Sequence, residues 1–171
     1  IRYMTAKDED ILTSQSLLKK GVAIDRFVDN ILVNKSINSS NMLIGDKNAI
    51  IIAARISGYG AEYETQIVCP GCAKKSSNTF DLEEKKVKFA SSETAPGVAV
   101  SERGTFVTEL PLSKLQAEIR VLYGSDEKKY TEKLLARNKT KNKVVADTLI
   151  TDQIKNFLVS LNGLEDRAIV N

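Results

Sequence analysis

An α+β fold follows from three features of this 171-residue sequence. Apolar residues recur at helical spacing up to residue 60. They alternate with polar ones in two stretches between residues 62 and 121, then return to helical spacing near the C-terminus. The expected architecture is N-terminal helices around a buried central helix, two β-hairpins, and C-terminal helices. One hairpin carries a knuckle-like tip, Cys69-Pro70-Gly71-Cys72.

Thr5 followed by Asp8 reads as a helix start, and the acidic run Asp8-Glu9-Asp10 suits the positive end of a helix dipole. A second short helix is expected from Ser14 to Lys20, with Gly21 as its left-handed stop. Ile24, Phe27, Val28, Ile31 and Leu32 share one face of a helix over residues 22–33, a face assigned to the core before a partner groove. Asn34 to Asn41 is a polar loop. Asp46 is expected to cap the central helix, in which Ala49 to Ala54 is apolar on every side, and Gly58-Tyr59-Gly60 ends it.

After Gly60 the period changes to two. Tyr63, Thr65, Ile67 and Cys69 alternate with Glu62, Glu64 and Gln66, which predicts a strand with one solvated face. Thr79-Phe80-Asp81-Leu82 reads as its return. A second hairpin runs from Thr105, turns at Pro111-Leu112-Ser113-Lys114, and continues through Leu115, Ala117, Ile119 and Val121. Ser125 caps a charged helix to about Asn138. Ile150, Ile154, Phe157, Leu158 and Leu161 mark a last helix, stopped by Asn162-Gly163. No segment reads as a repeat of another.

The chain divides into a helical part (1–60), the Cys-bearing hairpin (61–90), a linker without period (91–104), and the second hairpin with helices (105–171). Together they are expected to form one compact unit. Both ends read as trimmed, since the chain opens at Ile1 and stops after Val170-Asn171, and residues 90–104 read as the place of a deletion.

Composition narrows the function. The 25 basic and 22 acidic residues are interspersed and leave a net charge of +3, which argues against a dedicated nucleic-acid binder. No run approaches the length of a membrane span, and two close cysteines without a disulfide framework suit a reducing compartment. The sequence has no histidine, so the usual general base and hydrolase triads are absent. No phosphate-cradling loop occurs, and Gly58-Tyr59-Gly60 lacks the rest of a dinucleotide fingerprint. A capped helix turn explains Asp8-Glu9-Asp10 better than a metal site, and a solvated loop explains Lys139 to Lys143 better than a nucleic-acid contact. The chain is expected not to be an enzyme.

Cys69 and Cys72 are the only cysteines. Structural zinc takes four ligands, and this pair supplies two. Three readings stay open: a metal-free knuckle with no cofactor, zinc shared with a partner or a second copy, and redox or disulfide use. The segment from Ala73 to Asn78 is poor helix sequence, which weighs against a thioredoxin-like site.

A series of motifs in fixed order then carries a resemblance. Met4 to Ser14 leads to Leu17-Leu18-Lys19-Lys20-Gly21 and Ile24-Asp25-Arg26. Leu43 to Ala49, Arg55 to Gly60, Glu62-Tyr63-Glu64, Cys69-Pro70-Gly71-Cys72 and Phe80-Asp81-Leu82 follow. This series resembles the T4-type bacteriophage baseplate protein family, which includes a baseplate hub assembly protein. Weaker likeness returns at Glu109-Leu110-Pro111, Arg120 to Gly124, and Leu161-Asn162-Gly163. The resemblance implies a structural or assembly component of a contractile-tailed phage, placed in the virion tail baseplate or the host cytoplasm during assembly. Its partners would be other baseplate or tail proteins, and it offers no catalytic residues to transfer. Two rivals stand beside it: a zinc-knuckle adaptor binding nucleic acid or a host protein, and a thiol oxidoreductase.

Overall fold

A computed structural model describes residues 1–84, 89, 94–139 and 149–165. The chain divides into two compact units, Ile1–Phe89 and Ala90–Asn171, where the sequence reading takes one. The first contains α1 (Ala6–Thr13), α2 (Gln15–Lys20), α3 (Ala23–Ile31), a 3-10 turn (Ser39–Asn41), α4 (Ile44–Tyr59), β1 (Glu62–Val68) and β2 (Lys75–Asp81). The second contains β3 (Val98–Val100), β4 (Phe106–Glu109), β5 (Gln116–Ile119), α5 (Gly124–Lys139), α6 (Leu149–Phe157) and β6 (Leu158–Leu161). Helices and two small antiparallel sheets make an α+β fold, as the sequence predicts. Most of the expected loop at Lys139 to Lys143 lies outside the described residues.

The core of the first unit is the apolar face of α3. Phe27, Val28, Ile31 and Leu32 pack with Ala54 of α4, and Met4, Ile11, Leu12, Met42, Ile50 and Ile51 close around them. Ile24 stands apart at 42% exposed. The expected buried central helix is therefore corrected: α3 is the buried element. Only Lys47 and Ala54 of α4 are buried, and Ile52 is 41% exposed. An all-apolar run specifies no particular neighbour, and α4 meets α3 along a single face. Helix α4 also starts earlier than expected, at Ile44, with Asp46 in its first turn.

The fixed point of this unit is Asp8, which is fully buried. Arg2 donates to both of its carboxylate oxygens, at 2.7 and 2.8 Å. The Thr5 backbone N–H and hydroxyl each donate to Oδ2 at 2.8 Å, and Asn30 Nδ2 donates to Oδ1 at 2.6 Å. The acidic first turn is thus the helix cap expected from Thr5 and Asp8, and it also ties α1 to α3. The Arg2 N–H closes the arrangement by donating to the Ile31 carbonyl at 3.0 Å.

The second unit repeats this device. Arg120 donates to both oxygens of Asp126 at 2.8 Å, the Tyr123 N–H donates to Asp126 Oδ2 at 3.0 Å, and the Arg120 N–H donates to the Phe157 carbonyl at 2.9 Å. Ile31 and Phe157 are the last residues of α3 and α6. The sequences agree once aligned on these bonds: Ile1-Arg2 with Ile119-Arg120, Asp8-Glu9 with Asp126-Glu127, and Asn30, Leu32 and Val33 with Asn156, Leu158 and Val159. What recurs is this hydrogen-bond arrangement, within units whose elements otherwise differ. The matching residues are few and lie in two short stretches of each unit.

The second hairpin is part of a four-stranded antiparallel sheet in the order β3-β4-β5-β6. Strand β3 lies inside the expected linker of residues 91–104, and β6 replaces the expected end of the last helix. Asn162-Gly163 is no helix stop: both residues have positive φ, at 48° and 77°, in a two-residue turn closed by reciprocal bonds between Leu161 and Leu164. Glu118 crosses the sheet, accepting from Thr105 Oγ1 at 2.5 Å and from Ser160 Oγ at 2.8 Å.

Truncating Asp8 leaves a guanidinium and three other donors without their acceptor. Asp8→Ala should lower the opening free energy of α3 amides in hydrogen exchange by about 3 kcal/mol. Asp126→Ala should cost the α6 amides about 1 kcal/mol, because the Asp126 carboxylate is itself partly solvated and has fewer donors than Asp8.

The same contacts set an acid limit. The Arg2 guanidinium holds Asp8 well below the usual carboxylate range, against its own burial. Arg120 holds Asp126 down to about 2. Below about pH 4 the unfolded carboxyls take up protons that the folded ones refuse. Stability should therefore be intact above about pH 4 and decline as pH falls through the folded values. Asp126→Asn should flatten that decline in the α6 amides, read by exchange across an acid pH series.

Candidate functional site

The hairpin from Glu62 to Asp81 holds the features that the sequence singles out. Seven antiparallel pairs run from Glu62↔Asp81 to Val68↔Lys75, leaving residues 69–74 as the tip. One face carries Tyr63, Thr65 and Ile67 opposite Phe80, Asn78 and Ser76. The other carries Glu62, Glu64, Gln66 and Val68 opposite Asp81, Thr79, Ser77 and Lys75. The strand β1 appears where alternation predicts it, but both faces are solvated and not one. Only Thr65 and Asn78 are half-buried along the two strands. Tyr63, Ile67 and Phe80 are each at least 40% exposed. An apolar stripe meant for a core stands open among the described residues.

Arg55 holds this hairpin to the end of α4. Its guanidinium donates to the Gly60 and Glu62 carbonyls at 2.7 and 3.1 Å, and lies 5.1 and 5.9 Å from the Tyr59 and Tyr63 rings. Gly60, with φ at 84°, is the cap of α4; Gly58 belongs to its last turn and faces Met4, where an added Cβ would come within 2.7 Å of the sulfur. The strand direction after α4 is therefore fixed by one glycine and one arginine.

At the tip, the Cys69 N–H donates to the Lys74 carbonyl at 2.9 Å and the Ala73 N–H to the Cys69 carbonyl at 2.8 Å. Ala73 takes a left-handed φ of 56° to allow this turn. The backbone N–H groups of Cys72 and Gly71 and the Cys72 thiol all donate to the Cys69 sulfur, lowering the Cys69 pKa. Both cysteines are exposed and unbridged. The structure thus brings the two sequence-predicted site residues side by side on one turn. Among the described residues no cluster of three or more metal-ligating side chains occurs. The apolar stripe was present in the alternation, yet only the exposed faces reveal it as a surface.

The first unit thus has a core pinned at Asp8 and an open two-stranded hairpin, and the second carries a similar cap at Asp126. The family described as T4 bacteriophage base plate protein matches residues 1–107, and the chain belongs to that family. The match takes in the whole first unit, including the cysteine tip, and ends before the weaker likenesses at Glu109, Arg120 and Leu161. No curated protein and no solved structure matches the chain. The family makes this a phage baseplate protein with a structural role and with tail or baseplate partners. Among the described residues no helix is long and apolar enough to cross a membrane.

The three donors aimed at the Cys69 sulfur have a kinetic consequence. Alkylation of reduced, metal-free protein should modify Cys69 with a pH midpoint below the ordinary thiol value of about 8.5, measured by peptide mass spectrometry. A midpoint at or above that value would show that the turn leaves the thiolate unsupported.

Proposed function

We propose that this chain is a structural or assembly component of the hub region in a contractile-tail baseplate, acting through protein–protein contacts. The single observation that carries the reading is the hairpin of a baseplate-family chain with both faces exposed. A two-stranded hairpin alone is marginally stable in water, and an open stripe of Tyr63, Ile67 and Phe80 gains by being covered. Its bare strand edges offer main-chain donors and acceptors for pairing with a neighbouring chain. Neighbouring tail or baseplate proteins are the partners this reading supplies. The protein then serves either in the finished virion or in the host cytoplasm as the hub assembles.

Co-expression with the other baseplate proteins of the same phage, followed by affinity capture of this chain, tests the reading. Recovery of a hub-region protein is expected. Ile67→Glu with Phe80→Glu should reduce that recovery by about tenfold or more while leaving the helical circular dichroism unchanged. A chain that captures no phage protein and binds RNA tightly would overturn the reading in favour of a nucleic-acid adaptor.

A further inference from the structure

We infer that Cys69 and Cys72 form half of a tetrahedral thiolate site for zinc, completed by the same pair from a second copy of this chain. The inference goes beyond the baseplate reading and can fail without it. It begins with ligand supply. The sequence has no histidine and no other cysteine, so two further soft ligands must come from outside the chain. The hairpin's own carboxylates do not reach the tip. Residues 66–79 contain no Asp or Glu, and Glu64 and Asp81 sit on the order of 15 to 25 Å along the strands from it.

The turn itself is built for a thiolate. The Ala73 N–H to Cys69 carbonyl and Cys69 N–H to Lys74 carbonyl bonds close both cysteines into one tight turn, and the Cys72 and Gly71 backbone lowers the Cys69 pKa. A left-handed Ala73 maintains the bend, and both cysteines on it are exposed. Four thiolates around one divalent zinc carry a net charge of minus two. Lys74 and Lys75 of each copy, all exposed, bring compensating positive charge. The approach is open as well: the tip and both strands beside it are exposed in the chain, so two hairpins related by a twofold axis can meet end to end. Binding displaces the four thiol protons and leaves the oxidation state of sulfur unchanged.

The test is a titration of the reduced full-length chain with Co²⁺ and then Zn²⁺, with mass measured by light scattering at each step. Thiolate-to-cobalt charge-transfer absorption should saturate at one ion per two chains, and zinc should displace it. The mass should double over the same range. Cys69→Ser and Cys72→Ser should each abolish both signals while helical circular dichroism is retained. Saturation at one ion per monomeric chain, binding without a change of mass, or absence of thiolate absorption would each overturn the inference. Dimerisation that persists in both serine variants would overturn it too.

Discussion

The buried carboxylate of Asp8 is the contact on which the first unit depends. It takes donors from the N-terminal segment, the start of α1 and the end of α3, and the Arg2 N–H to Ile31 carbonyl bond adds a second polar tie between the first and the last of these. A buried charge is tolerable only when every lone pair has a donor, and here five hydrogen bonds meet that demand. Because those donors sit at fixed places on separate segments, they set the register between α1 and α3 before any side chain of the core is chosen. Asp126 takes its donors only from Arg120 and Tyr123 ahead of α5, in a wetter setting, and the tie to the end of α6 runs through the Arg120 N–H and the Phe157 carbonyl. One local device thus organises two folding units of different content.

A rigid base makes the exposed hairpin intelligible. Arg55 and Gly60 fix how β1 leaves α4, so the strands project from an ordered support although neither face finds cover within the described residues. The apolar stripe and the paired thiols lie on the same projection, and the stripe is left uncovered among the described residues. Baseplate membership supplies the context in which incompleteness is useful, since a component of a large assembly can leave part of its folding free energy to be gained at its interfaces.

Local signals were legible in the sequence. The Thr5–Asp8 cap, the Gly21 stop and the strand β1 depend on residues adjacent in the chain and appear as predicted, and α3 buries its stripe except for Ile24; that both faces of β1 are solvated does not follow from its alternation. The misses are long-range. Nothing in Ile50, Ile51 and Ile52 states that a single face of α4 is covered, and three residues as plain as Val98-Ala99-Val100 become a strand only because β4 lies beside them. Leu158 to Leu161 fits helical spacing as well as a strand, until Ala117 and Glu118 pair with it. The cysteine pair was evident at once, whereas the donors around the Cys69 sulfur depend on the fold of the tip.

The central claim is that a rigid, Asp8-pinned base presents an unfinished hairpin to its assembly partners. Hydrogen exchange of the whole chain, alone and within the assembled hub complex, tests it most directly. The account predicts that β1 and β2 amides exchange fast in the free chain and become strongly protected on assembly, while α3 amides are protected in both. Equal protection of β1 and β2 in the two states, or protection gained in α3 and not in the hairpin, would contradict it.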